Sequence, residues 1–182
     1  MLKRFDELKS LAISAGLISL FALAVTACGS SDADDEGFVR VLPQGPTLEV
    51  SNFEFAELKI TTQHPVPDLP GALDAWTAFR RASNGLNPVD FELRFYPDHA
   101  TAIADGVFYA DDVSGPDGKV FRTNAAWIEG YRDRQYRQNN AVTPNYMDYV
   151  IYGNTIILCG GLSILDSQTA CLWMLDRLDG AS

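Results

Sequence analysis

The spacing of apolar and polar positions changes several times along the chain, and each change marks an element. Residues 11–25 carry no charge and are mostly Leu, Ala, Ile, Val and Phe. Residues 29–37 then read Gly-Ser-Ser-Asp-Ala-Asp-Asp-Glu-Gly, with no apolar side chain larger than alanine. Such a run buries too little surface to offset its ordering entropy, so it is expected to be a flexible tether. Pro43, Gly45 and Pro46 keep residues 38–46 from regular structure. Phe53 and Phe55 alternate, and Leu58 and Ile60 resume the alternation after a one-residue slip, which predicts a bulged or bent strand over 50–62.

His64, Pro65, Val66 and Pro67 make a loop. Asp68 suits a helix N-cap and Pro70 a first turn. Leu69, Leu73, Trp76 and Phe79 or Arg80 recur at helical spacing, and Gly85 ends the pattern, so an amphipathic helix is expected from Pro70 to Asn84. Residues 90–96 alternate: Phe91, Leu93 and Phe95 against Glu92, Arg94 and Tyr96, a strand with one buried face. Pro97 and Asp98 open a short helix to about Asp105, with Ala100, Ile103 and Ala104 inward and Gly106 closing it.

Val107–Val113 and Lys119–Arg122 flank a Gly- and Pro-containing turn and fit a hairpin with a long loop. Trp127, Ile128 and Tyr131 share a helical face, and residues 132–140 are polar and expected at the surface. Tyr146–Cys159 reads as a β-hairpin: Tyr149 and Ile151 alternate, Gly153-Asn154 fits a tight turn, and 155–158 is β-branched and apolar. Gly160 and Gly161 break it. Asp166 or Ser167 caps a last helix with Cys171, Leu172, Leu175 and Leu178 on one side.

This order predicts an α+β fold: a two-layer sandwich of a small, mostly antiparallel sheet with helices packed on it, a ferredoxin-like arrangement being the favoured topology. No internal repeat stands out.

The N-terminal pattern sets location. Lys3, Arg4 and Lys9 precede the uncharged run, diluted by Asp6 and Glu7, and small Ala27 precedes Cys28. A basic start, an apolar stretch and a small-residue cleavage region make a secretory signal. Val25-Thr26-Ala27-Cys28 resembles the lipobox of bacterial lipoproteins. The resemblance implies that the Cys28 thiol receives a diacylglyceryl group, that the leader is cut before it, and that the new N-terminus is often acylated too. The competing readings are a plain signal peptide or an uncleaved helix with an incidental cysteine. Two or three acyl chains hold a protein at a bilayer without a spanning helix, whereas one holds marginally. The expected organisation is therefore a signal at 1–27, a lipidated N-terminus and tether at 28–46, and one globular domain at 47–182. The lipid would sit in the cell membrane or outer membrane, with the domain on the extracytoplasmic side.

The formal charge is −10, and removing a leader of net +1 leaves −11. An acidic body argues against nucleic acid and against adhesion to anionic lipid, so membrane contact is assigned to the acyl chains alone. Of three cysteines, Cys159 and Cys171 remain after Cys28. In an exported protein such a pair reads first as a disulfide, with two buried thiols as the alternative.

Catalytic chemistry leaves little trace. His64 and His99 are far apart and no HExxH occurs, so no metal or cofactor is expected. Asp111, Asp112 and Asp117 do not follow an EF-hand spacing and read as a solvated loop. No G-x-S-x-G, G-x-G-x-x-G or P-loop is present. Trp127, Tyr131, Arg134, Tyr136 and Tyr146 interleave aromatics with arginine, a pairing that binding surfaces use; the alternative is a core tryptophan beside a surface segment. The expectation is a non-enzymatic binding or accessory module for an envelope protein, a glycan or a small ligand. A structural envelope component, or an exported hydrolase using His99 with nearby carboxylates, is the other course.

Overall fold

The computed structural model describes residues 37–54, 57–82, 87–128, 133–138 and 141–180. The leader, Cys28, Phe55, Gly85 and Tyr131 lie outside the described residues.

A five-stranded sheet organises these residues, with strands β1 (Leu58–Gln63), β2 (Asp74–Arg80), β3 (Val89–Phe95), β6 (Tyr146–Tyr152) and β7 (Thr155–Gly160). Their order is β1-β2-β3-β7-β6, and every neighbouring pair is antiparallel. Strands β4 (Gln135–Gln138) and β5 (Ala141–Pro144) form a separate two-stranded ribbon. Helix α3 (Ile164–Gly180) packs on one face of the sheet. The opposite face carries α1 (His99–Thr101) and α2 (Val107–Asp111), joined by a π-helical turn at Ala102–Gly106. The fold is thus α+β, a sheet with helices packed on it. A ferredoxin-like sheet is built with βαβ crossovers. Here β1, β2 and β3 follow one another as a meander, so the topology departs from that expectation.

The face under α3 holds Phe91, Leu93, Phe95, Val150, Ile157 and Cys159, packed against Ala170, Cys171, Met174 and Leu178. Cys159 and Cys171 are bonded, S–S 2.01 Å, fastening the end of β7 to α3. Leu172 faces solvent, and Met174 takes the inward place that spacing had suggested for it. The helix starts before Asp166: the Ser163 hydroxyl accepts from Asp166 N at 3.1 Å.

The hairpin β6–β7 matches its sequence pattern. Gly153 turns the chain at φ +56°, and a Cβ there would lie 1.9 Å from the Pro46 carbonyl oxygen. Asn154 beside it is a buried junction. Its Oδ1 accepts from Leu48 N at 2.6 Å, and its Nδ2 donates to the carbonyls of Tyr96 (2.7 Å) and Leu48 (3.2 Å). The outer edge of β6 is covered by residues 40–42: Ile151 N donates to Arg40 O at 2.7 Å and Leu42 N to Ile151 O at 3.1 Å. Ordered chain therefore runs along the sheet within the stretch 38–46, blunting an edge that would otherwise offer unpaired backbone groups.

Four expected elements take other forms. The first strand is shorter, Leu58–Gln63, preceded by a 3-10 turn at Val50–Phe53; its irregularity falls between Ile60 and Thr62. The helix expected from Pro70 is instead a turn followed by β2. Leu69 is buried whereas Leu73 is 64% exposed, so the pair that suggested helical spacing shares no face. Strand β2 lies between β1 and β3 with buried residues on both faces, which erases the period-two signal. The helical run continues through Gly106 to Asp111, so no hairpin forms there. Its glycine fits against the Tyr96 ring and Ile156, where a Cβ would come within 2.7 Å of both. Residues 127 and 128 are not helical, and Ile128 is exposed while Trp127 is buried.

Candidate functional site

Two adjoining features concentrate the polar chemistry of the domain. The first is a buried ion cluster on the sheet face opposite α3. Glu92 and Arg94 lie two residues apart on β3 and so point the same way. Glu92 Oε1 accepts from Arg94 Nη2 at 2.6 Å and Nε at 2.8 Å; its Oε2 accepts from Arg134 Nε at 2.8 Å. Both guanidinium groups lie over the Trp127 ring, at 5.0 Å and 5.5 Å from its centroid. His64 meets the same ring edge-on and hydrogen-bonds through Nε2 with the Thr77 hydroxyl. Burial would raise the Glu92 pKa, but the charges and hydrogen bonds of Arg134 and Arg94 outweigh it and hold the carboxyl at about 2. The alternation of residues 90–96 suggested that Glu92 and Arg94 face water. In fact both are buried, Glu92 against Arg134 and Arg94 against the Trp127 ring.

The second feature is a groove of about 580 Å³ where β2 ends, β3 begins and β7 ends. Arg80, Asp90, Tyr136, Asn145 and Asp166 supply most of its polar lining, with Asn87 and Thr169, and Phe79, Val89, Leu162 and Ala170 much of the rest. Asn145 links groove and cluster. Its N donates to Arg134 O at 3.0 Å, its Nδ2 to Asp90 Oδ2 at 3.2 Å, and its carbonyl accepts from Gly161 N at 3.1 Å. Arg80 is 4% exposed and lies 4.8 Å over the Trp173 ring. Its Nη2 donates to Asn87 O at 2.9 Å, while Nε and Nη1 have no partner. Burial lowers its pKa from the ordinary arginine value.

The five residues singled out from the sequence do not form one surface. Trp127 and Arg134 are buried together in the ion cluster. Tyr146 is buried in the core beneath α1 and α2. Tyr136, on β4, is 45% exposed and lines the groove. Tyr131 lies outside the described residues. Arg80, Asp90, Asn145 and Asp166 were not picked out as binding residues. Beyond Tyr136, the Arg80-Arg81 pair closing the run that holds Trp76 and Phe79 is the sequence signal for the site.

The histidine and the acidic loop have structural work. His99 Nδ1 lies 2.7 Å from the Gly153 carbonyl, across from the hairpin turn. The Asp98 carboxylate accepts from Thr101 N at 2.7 Å as an N-cap, and that bond lowers its pKa. Asp112 pairs with Lys119 at 2.6 Å and accepts from Ala126 N at 2.7 Å. Asp111 accepts from the Tyr149 hydroxyl at 2.9 Å. Burial and this bond raise the Tyr149 pKa. No group of three or more His, Cys, Asp or Glu placed to hold a metal ion occurs among the described residues. No helix among them is long and apolar enough to cross a membrane.

Residues 49–180 match the model of a family of unknown function, DUF6810. The chain belongs to the DUF6810 family. The matched span runs from just before the 3-10 turn at Val50 to the end of α3, so the DUF6810 region contains the sheet, the ion cluster and the groove. No curated protein and no solved structure matches the chain.

Proposed function

We propose that this is an exported, lipid-anchored envelope protein whose domain is a non-enzymatic binding module taking its ligand in the groove at the end of the sheet. The anchor rests on Val25-Thr26-Ala27-Cys28 at the end of an uncharged run. The binding role rests on one observation: a groove of about 580 Å³ that combines apolar walls with a few polar groups, the usual make-up of a small-molecule site. Its concave shape favours a small ligand over a flat protein face or a long glycan. The buried ion cluster supports this reading as a scaffold, because it fixes Asn145 and the ribbon that carries Tyr136.

The reading is tested by screening small metabolites against the full chain in detergent micelles, with Thr169→Trp as a groove-filling variant; Thr169 is exposed on α3 at the groove wall. At least one compound is expected to bind the native chain and to lose that binding in Thr169→Trp. Binding that survives the variant, or no binding by any compound, contradicts the groove as ligand site.

A further inference from the structure

We infer that the groove binds an organic monocarboxylate with an apolar body, its carboxylate held by Arg80. The inference deepens the reading of the groove as a ligand site and rests on it.

Buried charges are normally paired. The other buried arginines obey this: Arg94 and Arg134 each pair with Glu92. Among the described residues Arg80 has no carboxylate partner, and two of its three guanidinium nitrogens make no hydrogen bond. The flat face of the group is satisfied by Trp173, so what remains unmet is its N–H edge. That edge belongs to a residue lining the groove. A planar guanidinium whose Nε and Nη1 are buried and unpartnered, on a residue that lines the groove, is suited to a carboxylate.

The charge of the ligand follows from the rest of the lining. Asp90 and Asp166 also border the groove, and the whole chain carries −10. A multiply charged anion such as phosphate would place its excess charge against those carboxylates. A single negative charge at Arg80 avoids this, and its apolar body then lies along Phe79, Val89 and Ala170. A free small acid and the C-terminus of an apolar peptide share this chemistry.

The test is an NMR titration of the full chain in detergent micelles, observing the side-chain N–H resonances of Arg80 and Trp173. The probes are isocaproate and acetyl-leucyl-leucine, each beside its neutral amide, with inorganic phosphate as a further arm. At least one acid is expected to shift both resonances and to bind about tenfold or more tighter than its amide. Which acid does so separates a free-acid ligand from a peptide end. Arg80→Gln is expected to abolish the difference and Arg80→Lys to keep part of it. Because the acid–amide comparison is made on the native chain, it stands even if a variant does not fold. Equal binding of acid and amide overturns the carboxylate assignment and leaves the groove as a ligand site. Tighter binding of phosphate, or no shift with any probe, overturns the assignment as well. The groove reading itself is decided separately by Thr169→Trp.

Discussion

Arg134 Nε lies 2.8 Å from Glu92 Oε2, tying the residue that leads into β4 to the central strand of the sheet across 42 residues of chain. Arg94 holds the other oxygen of the same carboxylate, and Trp127 lies against both cations. Removing the carboxylate leaves two guanidinium groups buried without it, which costs roughly 3–5 kcal/mol. Glu92→Gln is therefore expected to lower the unfolding free energy by about that amount, measured by urea titration at neutral pH. A loss below about 1 kcal/mol would show that the cluster behaves like a surface pair.

The same carboxyl makes stability depend on pH. Glu92 is held at about 2 when folded, against an ordinary value of 4.5. Its contribution is fully present above 4.5 and is lost as pH falls toward 2. The difference corresponds to about 3 kcal/mol. Urea titrations between neutral pH and pH 2 should show this loss in the native chain, and a flatter profile in Glu92→Gln over the same window. Parallel profiles would assign the acid sensitivity to other groups.

Asn154 holds three partners on two other segments of the chain. Asn154→Ala strands buried backbone groups of Leu48 and Tyr96, at about 1–3 kcal/mol for each group left unsatisfied. A destabilisation of roughly 3 kcal/mol is expected. Hydrogen exchange should quicken at Leu48 N, whose acceptor is the lost Oδ1. Unchanged exchange there would mean that water takes the place of the side chain.

The Cys159–Cys171 bond closes a short ring between β7 and α3. A crosslink over a loop of this size stabilises by about 3 kcal/mol in the chain-entropy model. The paired Cys159→Ser and Cys171→Ser variant should lose about that much stability, with the earliest hydrogen exchange in α3. Equal stability with and without the bond would contradict the view that it fastens the helix to the sheet.

What was legible in the sequence is local, and what was not is long-range. The β6–β7 hairpin could be read because Gly153 and Asn154 fix a turn between β-rich runs, and β3 because Phe91, Leu93 and Phe95 alternate. The burial of Glu92 and Arg94 could not be read, because it depends on Arg134 and Trp127 arriving from far along the chain. Strand β2 was hidden by having no solvent face, so Leu69, Leu73 and Trp76 mimicked a helical stripe. Gly106 looked like a helix stop, whereas contact with Tyr96 is what requires it. In the groove only Tyr136 was foreseen, since Arg80, Asp90 and Asp166 meet there by strand pairing and by the docking of α3.

The anchoring of the domain is the claim on which its place depends, and the intact mass of the protein recovered from membranes tests it most directly. The account requires a chain that starts at Cys28 and carries added diacylglyceryl mass on that residue, mass that is absent when Cys28→Ala is introduced. A chain that keeps residues 1–27, or one cut before Cys28 with no acyl mass, would contradict it.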